Sequence, residues 1–173
     1  VTNDAELMQF ATSGGDAVFK ANCVQCHGAG AAGVQAAGYP NLQDDAWLWG
    51  GTPGEIEYTI AHGIRNDQDP DARVGAMPAH DWLEEEQIQA VTQHVRALAG
   101  LAEPTEQGET IYLEEAGCNA CHGDDGKGMH ALGAPNLTDA IWLYGGDEQT
   151  VYESIKYGRA GVMPPWNIEA RGE

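Results

Sequence analysis

A duplication constrains this chain more than any other feature. The segment that begins at Cys23 returns at a constant offset from Cys118, so that Cys23, Cys26, His27 and Gly28 match Cys118, Cys121, His122 and Gly123. Pro40-Asn41-Leu42 matches Pro135-Asn136-Leu137, Trp47-Leu48-Trp49-Gly50-Gly51 matches Trp142-Leu143-Tyr144-Gly145-Gly146, and Ile56 and Ile60 match Val151 and Ile155. Self-similarity at this scale means two copies of one supersecondary unit. The register breaks only after Gly63, where the first copy carries the extra residues 66–71, and it resumes with Met77-Pro78 against Met163-Pro164. The extra residues are expected to form a solvated loop.

Both copies read as short helices joined by loops rich in Gly, Ala and Pro, and no alternating β-pattern is present, so the fold expected is all-α. A helix is expected over 15–22, ahead of the first Cys pair. Thr52 is expected to N-cap a second, with Pro53 at its first position, Glu55 completing a capping box, and Ile56 and Ile60 on one face. Asp81 and Glu84 offer the same box for a helix over 82–98. Its stripe is Ile88, Val91, Val95 and Leu98, and it stops near Gly100. These signals divide the chain into a first domain at 1–100, a linker at 101–107 and a second domain at 108–173. Only a short polar tail follows Met163, so the second copy lacks a counterpart of the 82–98 helix. The apolar side around Ile111 and Tyr112 therefore has no obvious cover.

Domains this small bury a limited core and need a staple such as a metal or a large apolar prosthetic group. The formal charge of −19, opposed by only three lysines and five arginines, excludes nucleic acid as a partner and favours a basic protein instead; the same charge also serves solubility. No apolar run approaches the ~20 residues of a membrane-spanning helix. The chain opens at Val1 without a basic segment followed by an apolar one, so a leader or anchor is expected to have been removed or to lie outside this sequence.

Cys-x-x-Cys-His is the attachment signature of c-type haem, because two thiols on one helical turn reach the two vinyl groups while the adjacent imidazole turns onto iron. It occurs twice and consumes all four cysteines. A zinc site would recruit further Cys or His at finger-like spacing, and a redox dithiol would sit in a βαβ setting. Two covalently bound haems are therefore expected, with His27 and His122 on the irons. For the sixth positions, Met77 and Met163 stand at matching places, each before a Pro. A thioether is a soft ligand that favours ferrous iron and raises the potential. His80, close to Met77, is an alternative ligand. His62, His94 and His130 are expected to serve surface or core roles, and Met129 packing.

At a finer level the motifs resemble one family. Gly38-Tyr39-Pro40-Asn41-Leu42, Asp45-Ala46-Trp47-Leu48-Trp49-Gly50-Gly51, His62-Gly63-Ile64-Arg65, the 133–139 and 141–146 segments, and Gly158-Arg159-Ala160-Gly161-Val162-Met163-Pro164 are similar to the di-haem subunit, CcoP or FixP, of cbb3-type cytochrome c oxidases. The likeness runs from about Gly15 to Trp166. It implies two tandem class I cytochrome c domains, each wrapped round one haem c. These would face the periplasm and pass electrons from a donor cytochrome towards the other oxidase subunits, with no active site of their own. It also implies His27 with Met77 on one iron and His122 with Met163 on the other. The carbonyls of Pro40 and Pro135 would accept from the two imidazoles, Trp47, Trp49, Trp142 and Tyr144 would exclude water, and Arg65 and Arg159 would pair with propionates. The chain departs from the family in three ways: an amino-terminal membrane helix and a last helix are absent, and His80 stands where the family has an aromatic after Met-Pro-Ala. Two other functions remain open: a free-standing periplasmic di-haem shuttle, and a two-haem peroxidase, which needs one displaceable sixth ligand.

Overall fold

The structure is a computed structural model and describes residues 4–167. The described chain is helical, with isolated β-bridges and no named strand among the described residues. It forms two compact units, Val1–Asp44 and Asp45–Glu173.

In the first unit α1 runs over Ala5–Asn22 and starts earlier than the expected 15–22, because Asp4 caps it by accepting from the Glu6 and Leu7 N–H groups at 3.0 Å. No residue of α1 is buried, and Phe10 is 77% exposed. Helix α2, Val24–His27, follows directly and carries the first Cys pair's second thiol and its histidine. A 3-10 turn over Gln35–Ala37, closed by a bridge between Val34 and Tyr39, then leads to Pro40.

The second unit holds the remaining helices: α3 Pro53–His62, α4 Glu85–Leu98, α5 Glu106–Thr110 with a π-turn over Ile111–Glu115, α6 Asn119–His122 and α7 Glu148–Tyr157. Thr52 and Glu55 form the expected capping box with Pro at the start of α3. At α4 the box is displaced: Glu84 and Gln87 make it rather than Asp81 and Glu84. The cause lies just upstream, where the Leu83 N–H bonds to the His80 carbonyl and Leu83 is buried, so the chain turns before it coils.

Helix α4 supplies the cover that the second copy lacks in sequence. Its stripe of Ile88, Val91 and Val95 packs into one core with Ile111, Tyr112, Val151 and Ile155. Burial of each such side chain contributes about 1.5–3 kcal/mol. The approach of α4 to α5 is close enough to require a glycine, since a Cβ on Gly108 would lie 2.3 Å from the Ala90 carbonyl oxygen. The sequence divides the chain at 101–107. In the structure the helix that follows the first Met-Pro packs on helices of the second copy.

The inserted loop is largely exposed, as expected, except at Asp69. Asp69 is 6% exposed and accepts from the Asp71 N–H at 2.8 Å, the Asn167 amide at 2.5 Å and the His62 ring at 3.1 Å. These donors hold its carboxyl below the usual range, the Asp71 N–H most strongly. No described helix is long and apolar enough to cross a membrane.

Candidate functional site

The two Cys-x-x-Cys-His segments fold alike. In each, the histidine closes a one-turn helix and its Nδ1 lies 3.1 Å from a proline carbonyl: His27 on Pro40, His122 on Pro135. A carbonyl can only accept, so Nδ1 carries the proton and Nε2 keeps the lone pair that a metal needs. The same bond fixes the ring's orientation and raises its basicity.

Around His122 the second unit encloses a cavity of about 310 Å³, lined by Cys118, Cys121, His122, Met77, Tyr112 and Trp142 among mostly apolar neighbours. His122 is 8% exposed. Burial lowers its pKa, with the Pro135 carbonyl acting against that, so the ring is held neutral, as an iron ligand must be. Burial also pushes the Cys118 thiol up to about 11 and raises Cys23.

The methionine on this cavity is not the one expected. Met77 lines the cavity of His122, whereas Met163 is not among its lining residues. Met77 exchanges backbone hydrogen bonds with Arg159, both at 3.0 Å, and Met163 exchanges them with Ile64 at 2.9 and 3.0 Å. Each Met-Pro strand thus lies against the helix end of the other copy. Two glycines allow this: a Cβ on Gly158 would meet the Met77 carbonyl oxygen at 2.5 Å, and one on Gly63 the Met163 carbonyl oxygen at 2.4 Å. The sequence reading set Met77 with His27 and Met163 with His122; on this cavity it is Met77 that stands with His122, since copies of such similar sequence can pair Met-Pro with either Gly-terminated helix.

Arg65 and Arg159 both line this cavity. The Arg65 guanidinium donates to the carbonyls of Gly161, at 2.5 Å from Nε, and Gly75. Its pKa is drawn down by burial. Arg159 donates from Nε to the Ser154 hydroxyl at 2.9 Å and lies over the Tyr144 ring at 4.2 Å. Neither has a carboxylate ion-pair partner among the described residues, which fits an anionic group entering the cavity. Trp47 packs instead on Gly51, and Trp49, 7% exposed, lies beneath Arg73 at 5.3 Å; neither lines the cavity.

Two contributors escaped the sequence reading. Ser154 orients Arg159, and the Tyr112 hydroxyl donates to the Gly123 carbonyl at 2.8 Å, tying the helix before the second Cys pair to the turn after it. Neither has a motif that would announce it. Of the remaining histidines, His94 is buried on α4, His62 is paired with Asp69, and His130 is exposed. Met129 is 41% exposed.

Comparison with known proteins places two family models end to end on the chain: cytochrome c at residues 13–99 and cytochrome c oxidase, cbb3-type, subunit III at 103–171. The cbb3-type cytochrome c oxidase subunit CcoP of Cereibacter sphaeroides is 51% identical over 96% of this chain and 58% of its own length. Subunit FixP of Sinorhizobium medicae is 50% identical over 93% of the chain and 56% of its own, and subunit CcoP of Rhodobacter capsulatus 45% over 99% and 59%. The chain thus spans somewhat over half the length of the relatives it matches.

Proposed function

Because the chain belongs to the CcoP/FixP family of cytochrome c subunits of cbb3-type oxidases, we propose that it is a periplasmic di-haem electron carrier that relays electrons from a donor cytochrome to the oxidase's catalytic subunits. The observation that carries this reading is the gathering of Cys118, Cys121, His122 and Met77 on one apolar cavity. A covalent haem c fits those donors: two thiols on one turn, a neutral imidazole oriented by a carbonyl, and a soft thioether. Bound there, haem supplies a one-electron iron centre whose potential the thioether raises.

The protein's own residues then divide the remaining work. Cys118 and Cys121 anchor the macrocycle and His122 presents Nε2 to the metal. Pro135 fixes the imidazole, Met77 supplies the sixth ligand, and Arg65 and Arg159 neutralise the propionates. Trp142 and Tyr112 exclude water, which keeps the charge change in a low-dielectric setting. In the first copy Cys23, Cys26, His27 and Pro40 repeat the attachment. The acidic surface suits a basic donor, whose association would weaken as salt screens the attraction.

The experiment is a haem-pyridine spectrum with mass measurement on the mature polypeptide, followed by a potentiometric titration. Two c-type haems per chain, both low-spin with His/Met signatures, are expected. One haem, bound zinc, or a high-spin haem that turns over peroxide would replace this reading. A free-standing shuttle is separated from an oxidase component by whether the intact gene product co-purifies with a haem-copper subunit.

A further inference from the structure

We propose that His80 is a second distal base for the haem at His122, held in reserve behind Met77. This inference rests on the assignment of Met77 to that iron, and it concerns what the chain does when the thioether leaves.

Placement comes first. His80 lines the cavity that Met77 and His122 line, and it is 8% exposed. Its Nδ1 is shut off from solvent and has no hydrogen-bond partner among the described residues. No hydrogen bond at Nδ1 therefore holds the ring against turning toward the cavity that the residue lines. His94 is also buried with an unpaired Nδ1, but it lies on α4 beside Tyr112 and does not line the cavity.

The backbone holds His80 there. Its N–H donates to the Ile155 carbonyl at 3.0 Å, while the Met77 N–H donates to the Arg159 carbonyl at 3.0 Å. Both anchors belong to α7 or the residues just beyond it, so the segment 77–80 is pinned at its two ends. The imidazole is thus presented independently of the Met77 side chain.

The chemistry gives the pair a purpose. A thioether favours ferrous iron, whereas an imidazole is the stronger donor to ferric iron and lowers the potential. One loop therefore offers two ligands of opposite redox preference. In the exchange the Fe–S bond breaks and an Fe–N bond forms through the lone pair of the neutral imidazole. No electron is transferred and no proton is released.

The test uses the full chain with both haems attached. In Met77→Ala, the ferric spectrum is expected to keep one thioether charge-transfer band and to gain one low-spin bis-imidazole signal, with the potential of that haem lowered. In the double variant Met77→Ala/His80→Phe, that haem is expected to become high-spin, while His80→Phe alone keeps both thioether bands. Met77→Leu, which conserves volume, replaces Met77→Ala where the latter fails to hold haem, and is judged by the same signals. A high-spin haem in the single Met77 variant, or a low-spin signal that survives in the double variant, overturns the role of His80 and leaves Met77 as the ligand. Two intact thioether bands in the single variant remove the Met77 assignment and the role of His80 together.

Discussion

The two attachment segments share a histidine–carbonyl distance of 3.1 Å, yet their surroundings differ. The second sits in a core where Ile88, Val91, Ile111 and Tyr112 are all at or below 1% exposed, and its preceding helix is roofed by α4. The helix preceding the first, α1, has no buried residue at all. Five residues of motif and one proline carbonyl thus suffice to orient the histidine, while the enclosure around it is made by distant parts of the chain.

The sharpest way to break this contrast is to remove one attachment. Substituting both Cys118 and Cys121 by Ala should halve the haem content per chain, read by pyridine spectrum and mass, and leave the first haem in place. Loss of both haems would mean that the segments are not locally autonomous. Next in size, Ile88→Ala should destabilise the second unit by about 2–5 kcal/mol in urea unfolding. Phe10→Ala on α1 should stay within about 0.5 kcal/mol, and equal effects would erase the difference between the two helices.

A smaller pair of opposite sign uses glycine. Gly108→Ala, where a Cβ meets the α4 backbone, should cost about 1–3 kcal/mol by overpacking. Gly14→Ala, in mid-helix with nothing within 4 Å, should stabilise α1 by about 0.5–1 kcal/mol. Thermal melts of the two variants would show the sign directly. The smallest effect is a pH dependence. Burial holds the His94 pKa below its ordinary value, with Glu109 opposing, so the unfolded chain binds its proton more readily. The stability this adds is fully present above the unfolded pKa of about 6.5 and is lost as pH falls through the lower folded value. Melting of the second unit should therefore decline between pH 7 and pH 5, and His94→Gln should flatten that decline.

Legibility in the sequence followed the range of the interaction. Thr52, Pro53 and Glu55 announce the start of α3 because a capping box is complete within four residues, and His27 with Cys23 and Cys26 announces attachment for the same reason. The partner of α4 could not be read, although its stripe could, because Ile88, Val91 and Val95 would serve either copy's helix equally. The missing cover over Ile111 and Tyr112 was the one visible clue. Nor could Met77 be assigned its cavity: Met-Pro meets a glycine after α3 or after α7 with the same backbone geometry, and repeat alignment favours the nearer one. The burial of Asp69 was hidden in a different way, since one turned-in carboxylate in an otherwise exposed acidic insertion shows only once its three donors are known.

The reciprocal docking of the Met-Pro strands has a bearing on how this chain could be divided. A cut within 99–104 would not release two self-sufficient cytochromes. The carboxyl-side fragment would retain its thiols, imidazole and proline carbonyl, but would forfeit both the sulfur and the roof that the amino-terminal fragment keeps. Duplication here has ended in interdependence, and the second copy is not a cassette that can be lifted out and grafted elsewhere.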